Sequence, residues 1–287
     1  MTEARFYSVL EDGVQCLLCP HHCRIREGAR GLCRSRECRD GKLYALSYGR
    51  PCALAVDPVE KKPLNHFMPG TSCLSLSCTG CNLSCRWCQN SDISQVAPEE
   101  TDSGVLPPEE VVALCIRHAL PSIAYTYTEP LTWWEYLHDI ASLAHAKGLK
   151  NILVSAGYVE KEPLQVLLPF IDAANIDIKA MDDAICRKYC GASLAPVLEN
   201  ILAMHSAGVH VEITNLLVTG VNDSSEQVTA LCRWMAENGL EDVPLHFSRF
   251  FPRYRFNDAA PTPKPTLLKA RDHAHSLGIK TIHLGNI

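Results

Sequence analysis

The sequence contains no apolar run long enough to cross a membrane and no basic N-terminal segment followed by an apolar stretch. A membrane-spanning protein would show the first feature, and a secreted protein with a leader would show the second. Short internal repeats and low-complexity segments are also lacking. We therefore expect a globular cytoplasmic protein, a class that suits 47% hydrophobic and 21% charged residues.

The chain also lacks an excess of positive charge. Its net charge of −5 at pH 7 and its pI of about 6.2 give no general attraction to nucleic acid. Basic residues are nevertheless concentrated in one short stretch, where a solvated basic face is favoured over a partner-binding patch. The arginines of this stretch are Arg24, Arg26, Arg30, Arg34, Arg36 and Arg39.

Disulfide bonds are the wrong explanation for the cysteine content. The chain has 15 cysteines, an odd number that cannot all be paired, and disulfides are rare in reducing compartments. So many cysteines also exceed what core packing requires. The composition therefore indicates metal binding.

The hydrophobic pattern predicts the fold class. From Thr71 onward, short β-branched runs alternate with amphipathic helical stretches, which is typical of successive βα units and a parallel sheet. The predicted strands are 73–77, 123–127, 151–155, 175–179, 209–218, 244–250 and 280–285, and the predicted helices are 108–117, 131–147, 164–170, 196–206, 226–238 and 266–277. We therefore predict an α/β protein with a full or partial TIM-like barrel, in which chemistry gathers at the C-terminal ends of the strands.

The N-terminal part of the chain has a different composition. Its first 65 residues are rich in Cys, Arg and Gly and show no sustained helical or strand period. Such a stretch is typical of a small region that a metal, rather than a core, holds together. We predict a Cys-rich region over residues 1–65 and a barrel over residues 66–287.

A cysteine triplet follows the first predicted barrel strand, at a strand's C-terminal end. Cys81, Cys85 and Cys88 have the spacing C-x3-C-x2-C. Four thiolates would complete a 4Fe–4S site, so three ligands leave one iron open for chemistry. The alternative is a closed structural zinc site in which Cys78 is the fourth ligand. The crowded spacing favours the cluster over zinc.

The triplet, together with Trp87, resembles the radical SAM superfamily, whose members carry C-x3-C-x-aromatic-C after the first strand of a partial (β/α)6 barrel. In that superfamily the open iron binds S-adenosylmethionine, and an electron from the reduced cluster cleaves it to methionine and a 5′-deoxyadenosyl radical that abstracts hydrogen from a substrate. Longer blocks resemble the radical SAM enzyme of the AmmeMemoRadiSam system, which is similar to pyruvate formate-lyase activating enzyme. These blocks are residues 57–67, 124–130, 175–179, 211–223 and 246–252, so the resemblance spans nearly the whole chain.

The resemblance implies roles for residues near the cofactor. Glu129 stands where the superfamily usually has Gly-Gly-Glu, and it would accept from the methionine amino group. Asp177 and Lys179 lie on one face of a strand, so we expect them to pair with each other or with a ligand. The resemblance assigns Lys179 to the methionine carboxylate and Asp177 to the polar floor beside it.

Three further residues are implied at the two ends of the cofactor. Ser155 is expected along the methionine, Asn215 along the adenine, and His246 at the ribose hydroxyls. Without the resemblance, a hydrogen-bonded core histidine would be the ordinary interpretation of His246. Side chains proposed to face the substrate are Tyr125, Tyr127, Arg249, Arg253 and Tyr254.

A second quartet with metal-ligand spacing lies in the N-terminal region and consists of Cys16, Cys19, Cys23 and Cys33. Zinc is the metal that we expect these cysteines to bind, and an auxiliary 4Fe–4S cluster is the alternative. His21 and His22 could replace one of the thiolates. We interpret Cys186 and Cys190 as structural thiols. The resembling family usually continues into a further C-x2-C tail, so this chain is expected to be truncated or short after Ile287.

The sequence therefore predicts a radical SAM enzyme related to activating enzymes. Its substrate would be a protein that receives a glycyl radical or a small molecule. The expected partners are S-adenosylmethionine, a reducing electron donor and, if the narrower resemblance holds, AmmeMemo companion proteins. Neither a membrane nor nucleic acid is expected. The alternative is a zinc-dependent interaction or RNA-binding module, in which Cys78 would close the second metal site.

Overall fold

The computed structural model describes residues 1–287 and contains fourteen strands and eight α-helices. The strands are β1 Thr2–Glu3, β2 Tyr7–Leu10, β3 Gly13–Cys16, β4 Arg24–Arg26, β5 Arg36–Arg39, β6 Lys42–Ala45, β7 Pro51–Pro58, β8 Ser72–Cys78, β9 Ser122–Tyr125, β10 Lys150–Ser155, β11 Ala173–Asp177, β12 His210–Leu217, β13 Leu245–Arg249 and β14 Ile282–Gly285. The helices are α1 Ser91–Ser94, α2 Pro108–Arg117, α3 Trp134–Ala146, α4 Lys161–Leu167, α5 Asp183–Cys190, α6 Ala195–Ser206, α7 Ser225–Glu237 and α8 Lys264–Ser276.

One sheet of eight strands forms the body of the protein. Its order is β14-β13-β12-β11-β10-β9-β8-β7, so the strands from β8 to β14 follow one another in chain order. These seven strands are parallel, and β7 closes one edge antiparallel to β8. The predicted partial TIM-like barrel is confirmed. All seven predicted strands occur, with small shifts at their ends.

The strands form because they are short apolar runs that are covered on both sides. Every residue of β9 is buried, as are most residues of β8 and β12. Amphipathic helices cover the outside of the sheet, which is the ordinary arrangement for parallel strands. Helix α3 contributes Trp134 and Tyr136 to the main apolar core. No helix in the structure is both long and apolar enough to span a membrane.

The N-terminal region contains strands that the sequence analysis did not predict. Two three-stranded antiparallel sheets, β1-β6-β5 and β2-β3-β4, occupy residues 2–45. Their strands are only 2–4 residues long, too short to show a period of two. Strand β7 precedes the expected boundary at residue 65 and pairs with β8 in the main sheet. The division into residues 1–65 and 66–287 stays a prediction.

Helix α5 was also missed, although its ends carry ordinary capping residues. The side chain of Asp182 accepts a hydrogen bond from the backbone of Ile185 at 2.9 Å, and Gly191 follows the helix with a φ of 71°. Asp at the N-cap and glycine in the left-handed region are standard helix boundaries. The helix places Tyr189 and Cys190 beside the cysteine triplet loop.

The segment between β7 and β8 crosses the barrel interior near the N-terminal ends of the strands. Asn65 and His66 donate backbone N–H groups to Glu212 of β12 at 3.1 and 2.8 Å. Asn175 of β11 donates its side-chain amide to the carbonyl of Pro63 at 2.7 Å. These bonds close the lower end of the barrel, which leaves the C-terminal ends of the strands as the open side.

Candidate functional site

A cavity of about 360 Å³ lies at the C-terminal ends of the barrel strands. This is within the range of small-molecule and cofactor sites. Eight of the predicted site residues line it: Cys81, Cys85, Trp87, Cys88, Glu129, Ser155, Asp177 and Lys179. The structure therefore brings together the triplet and the residues expected at the methionine end.

The loop that carries the triplet is fixed by the C-terminus of α5. Backbone N–H groups of Ser84 and Arg86 donate to the carbonyls of Cys190 and Tyr189 at 2.8 and 3.0 Å. The end of a helix leaves such carbonyls free, so the loop satisfies them. Trp87 is buried and packs with Tyr189 and Phe256, at ring-centroid distances of 5.9 and 5.7 Å.

The fourth cysteine of the alternative zinc site lies elsewhere. Cys78 is the last residue of β8, is fully buried, and does not line the cavity with the triplet. In the structure as it stands, no group of three or more His, Cys, Asp or Glu side chains is arranged to hold a metal ion. A cluster differs from a single ion because it distributes its thiolate ligands over separate iron atoms.

Charge around the triplet suits thiolate ligands. Burial raises the pKa of Cys81 well above its usual value and also raises the pKa of Cys88, so both thiols hold their protons unless a cation displaces them. A hydrogen bond with Cys190, together with the ammonium group of Lys179, lowers the pKa of Cys85, and Lys179 also opposes the rise in the pKa of Cys88. Three thiols, one cation and an adjoining cavity fit a cluster with one open iron.

Glu129 is held by hydrogen bonds to the loop that follows β10. It is only 2% exposed. One oxygen accepts from the Ser155 hydroxyl at 2.6 Å, and the other accepts from the Ala156 backbone N–H at 2.8 Å. Burial raises its pKa, and these donors oppose the rise. A buried carboxylate oriented in this way can accept from an ammonium group.

Asp177 and Lys179 form an ion pair at the end of β11. The Nζ of Lys179 lies 2.8 Å from an oxygen of Asp177, so the pairing expected from their shared strand face is confirmed. Burial acts to lower the pKa of Lys179, but Asp177 and Cys85 raise it above its usual value. Lys179 therefore stays cationic beside the cavity.

His246 does not line the cavity. Its Nε2 lies 2.6 Å from a carboxylate oxygen of Glu212, and its ring stacks on His283. His246 shares a strand face with Ser248, which does line the cavity, but it lies one layer deeper in the barrel. A period of two gives the strand face of a residue and not its depth in the barrel, so the contact of His246 with the ribose stays a prediction.

Asn215 also lies outside the cavity, because its side chain donates to the carbonyl of Ile178 at 2.7 Å. Its neighbours Thr214 and Leu216 line the cavity instead. The Asn215 side chain therefore joins two adjacent strand ends, and the expected place of this residue along the adenine stays a prediction.

The sequence analysis missed a buried acid beneath the cavity. The carboxylate of Asp57 accepts from Lys62 at 2.7 Å, from Ser75 at 2.8 Å, and from the hydroxyl of Tyr127. Tyr127 lines the cavity, so Asp57 orients a wall residue. The resembling block 57–67 contained the information, but nothing in its pattern distinguished a structural acid from a surface acid.

The N-terminal quartet also converges. Cys16, Cys19, Cys23 and Cys33 line a second, smaller cavity together with His21 and Asn82. His21 donates from Nε2 to the backbone carbonyl of Asn82 at 2.7 Å, and His22 pairs with Glu160 at 2.9 Å. Both histidines therefore already have partners. The four thiols share the cavity but, as the structure stands, are not arranged to hold a single metal ion.

Comparisons with known proteins identify the family of the chain. A sequence model of the Radical SAM superfamily matches residues 76–234, which is more than half of the chain. An uncharacterized protein of Methanocaldococcus jannaschii is 45% identical over 288 residues, covering 100% of this chain and 86% of that protein. The 4-hydroxyphenylacetate decarboxylase activating enzyme of Clostridioides difficile is 27% identical over 125 residues, covering 43% of this chain and 40% of that enzyme.

A solved domain of the pyruvate-formate lyase-activating enzyme from Bacteroides vulgatus shares the fold. Its TM-score is 0.51 at 17% identity, over 57% of this chain and 98% of that domain. The match to the Clostridioides enzyme spans less than half of either protein. The family match shows that the chain belongs to the radical SAM superfamily and is an enzyme.

Proposed function

We propose that this radical SAM enzyme holds a 4Fe–4S cluster on Cys81, Cys85 and Cys88 and binds S-adenosylmethionine in the cavity beside them. When bound, the cluster supplies the electron that cleaves S-adenosylmethionine to methionine and a 5′-deoxyadenosyl radical, which abstracts hydrogen from a substrate. The observation that carries the proposal is that three thiols share one cavity with Glu129 and Lys179. Cys190 contacts Cys85 but lies outside this cavity. Three ligands leave one coordination position open for a small molecule.

The charged residues of the cavity match the two ends of an amino acid. Glu129 would accept from the ammonium group of the methionine, in a position fixed by Ser155 and Ala156. Lys179 would bind the methionine carboxylate, and Asp177 would hold the Lys179 side chain in place. Trp87 would form an apolar wall behind the cluster loop.

The nucleoside end would also meet neighbours of the residues predicted there. Thr214, Leu216 and Ser248 line the cavity, whereas His246 is occupied by Glu212 below it. The small hydroxyl of Ser248 and the backbone of β12 would therefore contact the ribose and adenine. His246 would support this floor from beneath.

For the substrate we favour a protein. This rests on relatives whose names describe them as activating enzymes of other enzymes, and on the resemblance to pyruvate formate-lyase activating enzyme. An electron donor is required whether the substrate is a protein or a small molecule. We also propose companion proteins of the AmmeMemo type and a cytoplasmic location. The cytoplasm keeps thiols reduced, as cysteines that bind a metal require.

The N-terminal quartet is proposed to hold zinc. Four thiolates in a region built from strands of 2–4 residues suit a closed structural site. An auxiliary 4Fe–4S cluster would use the same four ligands, and metal analysis distinguishes the two.

The experiment is to measure 5′-deoxyadenosine formation by the anaerobically reconstituted enzyme with a chemical reductant. Cys85→Ala should reduce it to background, because two thiolates cannot hold the cluster. The control is Cys115→Ala, which removes a buried thiol of α2 remote from the cavity and should leave cleavage unchanged. Undiminished formation by Cys85→Ala would contradict the proposal.

A further inference from the structure

The N-terminal quartet lies in a setting that favours a bound cation. Its four thiols line one small cavity, in which Cys16 and Cys33 are buried. Four thiolates are the donor set of a closed structural zinc site. The guanidinium of Arg36 borders the same cavity and is paired with the buried carboxylate of Glu135 at 2.6 Å.

A buried oxygen in this cavity has no partner. Asn82 is only 5% exposed and lines the cavity, and its side-chain nitrogen donates to the carbonyl of Tyr158 at 2.7 Å. Its side-chain oxygen makes no hydrogen bond. Buried polar atoms are nearly always satisfied, so an unpaired acceptor in this cavity indicates that the cavity binds a further group.

The same residues connect the quartet to the cluster loop. Asn82 directly follows Cys81, and its backbone carbonyl accepts from His21, which lies between Cys19 and Cys23. A metal that fixes the two cysteines would therefore also fix the histidine and the loop that it holds.

On the other side of Cys81, the loop touches the quartet again. Gly80 has a φ of 108°, and a Cβ at this position would lie 2.6 Å from the backbone oxygen of Cys33. Only glycine permits this approach. The quartet thus contacts both neighbours of the first cluster ligand, through Cys33 at residue 80 and through His21 at residue 82.

We propose that zinc bound by Cys16, Cys19, Cys23 and Cys33 clamps the cluster loop, through His21 on Asn82 and through Cys33 on Gly80. The zinc would then set how firmly the 4Fe–4S cluster is retained, although it would take no part in the chemistry. This inference rests on the proposed cluster, but the zinc site itself can be measured without the cluster.

The first test is metal content after anaerobic reconstitution with iron, sulfide and zinc. Wild-type protein should hold about one zinc and about four iron per chain. The triple variant Cys81→Ala, Cys85→Ala, Cys88→Ala should keep the zinc and lose the iron. Iron remaining in the triple variant would overturn zinc as the occupant, and the absence of any metal there would overturn the site.

The second test measures the clamp by the rate at which an iron chelator removes the cluster, followed by cluster absorbance. The double variant Cys19→Ser, Cys23→Ser should lose zinc and release the cluster about tenfold faster or more, the size of effect typical of residues that support metal ligands. His21→Ala should keep its zinc and still release the cluster faster, because the substitution removes the contact with Asn82 and leaves the four zinc ligands in place.

Cys232→Ala is the matched control, since this thiol is buried in α7 away from both cavities and its removal should leave both metals in place. Far-UV circular dichroism verifies that each variant is folded. Equal rates of cluster loss in wild type, His21→Ala and the zinc-free variant would overturn the clamp. A wild type that holds zinc but no iron would instead refute the proposed function and leave the zinc site standing.

Discussion

The buried ion pair between Asp57 and Lys62 allows a quantitative prediction. Lys62 is 1% exposed and its Nζ lies 2.7 Å from Asp57, whereas the side chain of Lys61, which binds the other carboxylate oxygen at 2.8 Å, is 65% exposed. Burial acts to raise the pKa of Asp57, but hydrogen bonds from both lysines, Tyr127 and Ser75 hold it well below its usual range. The carboxylate is therefore the only described anion that compensates the Lys62 charge.

The substitution Asp57→Asn keeps the shape of the side chain and removes its charge. It should lower the free energy of unfolding by about 3–5 kcal/mol, because it leaves a buried ammonium group without an anion. For a domain of this size, such a loss lowers the Tm by roughly 6–20 °C. The control Lys61→Ala removes an exposed partner of the same carboxylate and should cost about 0–1 kcal/mol.

The assay is thermal and urea unfolding followed by circular dichroism, at equal metal loading for each variant. The double variant Asp57→Asn, Lys62→Met should be more stable than Asp57→Asn alone, because the uncompensated charge is gone. The reasoning is refuted if Asp57→Asn costs no more than Lys61→Ala, or if Lys62→Met fails to restore stability in the double variant.

Three further outcomes are expected. Hydrogen bonds keep the pKa of the buried Glu212 well below its usual range despite burial, so its contribution to stability is present above the ordinary glutamate pKa and is lost as the pH falls below it. Acid titration of Glu212→Gln should accordingly show a shallower loss of stability than wild type, and equal slopes would contradict this. Ser155→Ala removes a donor that orients Glu129 and should weaken S-adenosylmethionine binding in calorimetry, by less than the about 1.5–3 kcal/mol that a hydrogen bond to a charged group contributes to stability; an unchanged affinity is the contrary result. Gly80→Ala would place a Cβ against Cys33 and should reduce iron per reconstituted chain relative to the exposed loop control Gly104→Ala.

The sequence alone predicted the features that depend on the pattern of residues along a single strand or helix. The alternation of strands and helices after Thr71 predicted the barrel, because βα repeats show both periods over long stretches. It also placed Cys81 and Glu129 just after predicted strands and Lys179 at the end of one, and the C-terminal ends of parallel strands meet at one edge. The three residues therefore share a cavity, as expected.

Depth within the barrel and long-range partners were not predictable in this way. His246 and Ser248 share a strand face, and only the three-dimensional structure shows that the histidine lies below the cavity on Glu212. The interpretation of Cys190 as a structural thiol did not anticipate that the end of α5 would bind the cluster loop. Such contacts join residues that are distant in sequence, and no pattern along one strand or helix encodes them.

The contact between the quartet and the triplet is of the same kind. The spacing of the cysteines predicted both the quartet and the triplet. The sequence did not predict that the two sets lie in contact. Asn82 and Gly80 connect them through one hydrogen bond and one close backbone approach. Neither residue stands out in the sequence, because an asparagine and a glycine in a loop are ordinary turn residues.

The central claim is that Cys81, Cys85 and Cys88 hold a cluster with one iron open to S-adenosylmethionine. Low-temperature EPR of the anaerobically reconstituted and reduced protein, recorded with and without S-adenosylmethionine, tests it most directly. The account predicts the signal of a reduced 4Fe–4S cluster that changes shape when S-adenosylmethionine is added and is absent in Cys85→Ala. A cluster signal that S-adenosylmethionine leaves unchanged, or a wild-type protein that holds only zinc, would contradict it.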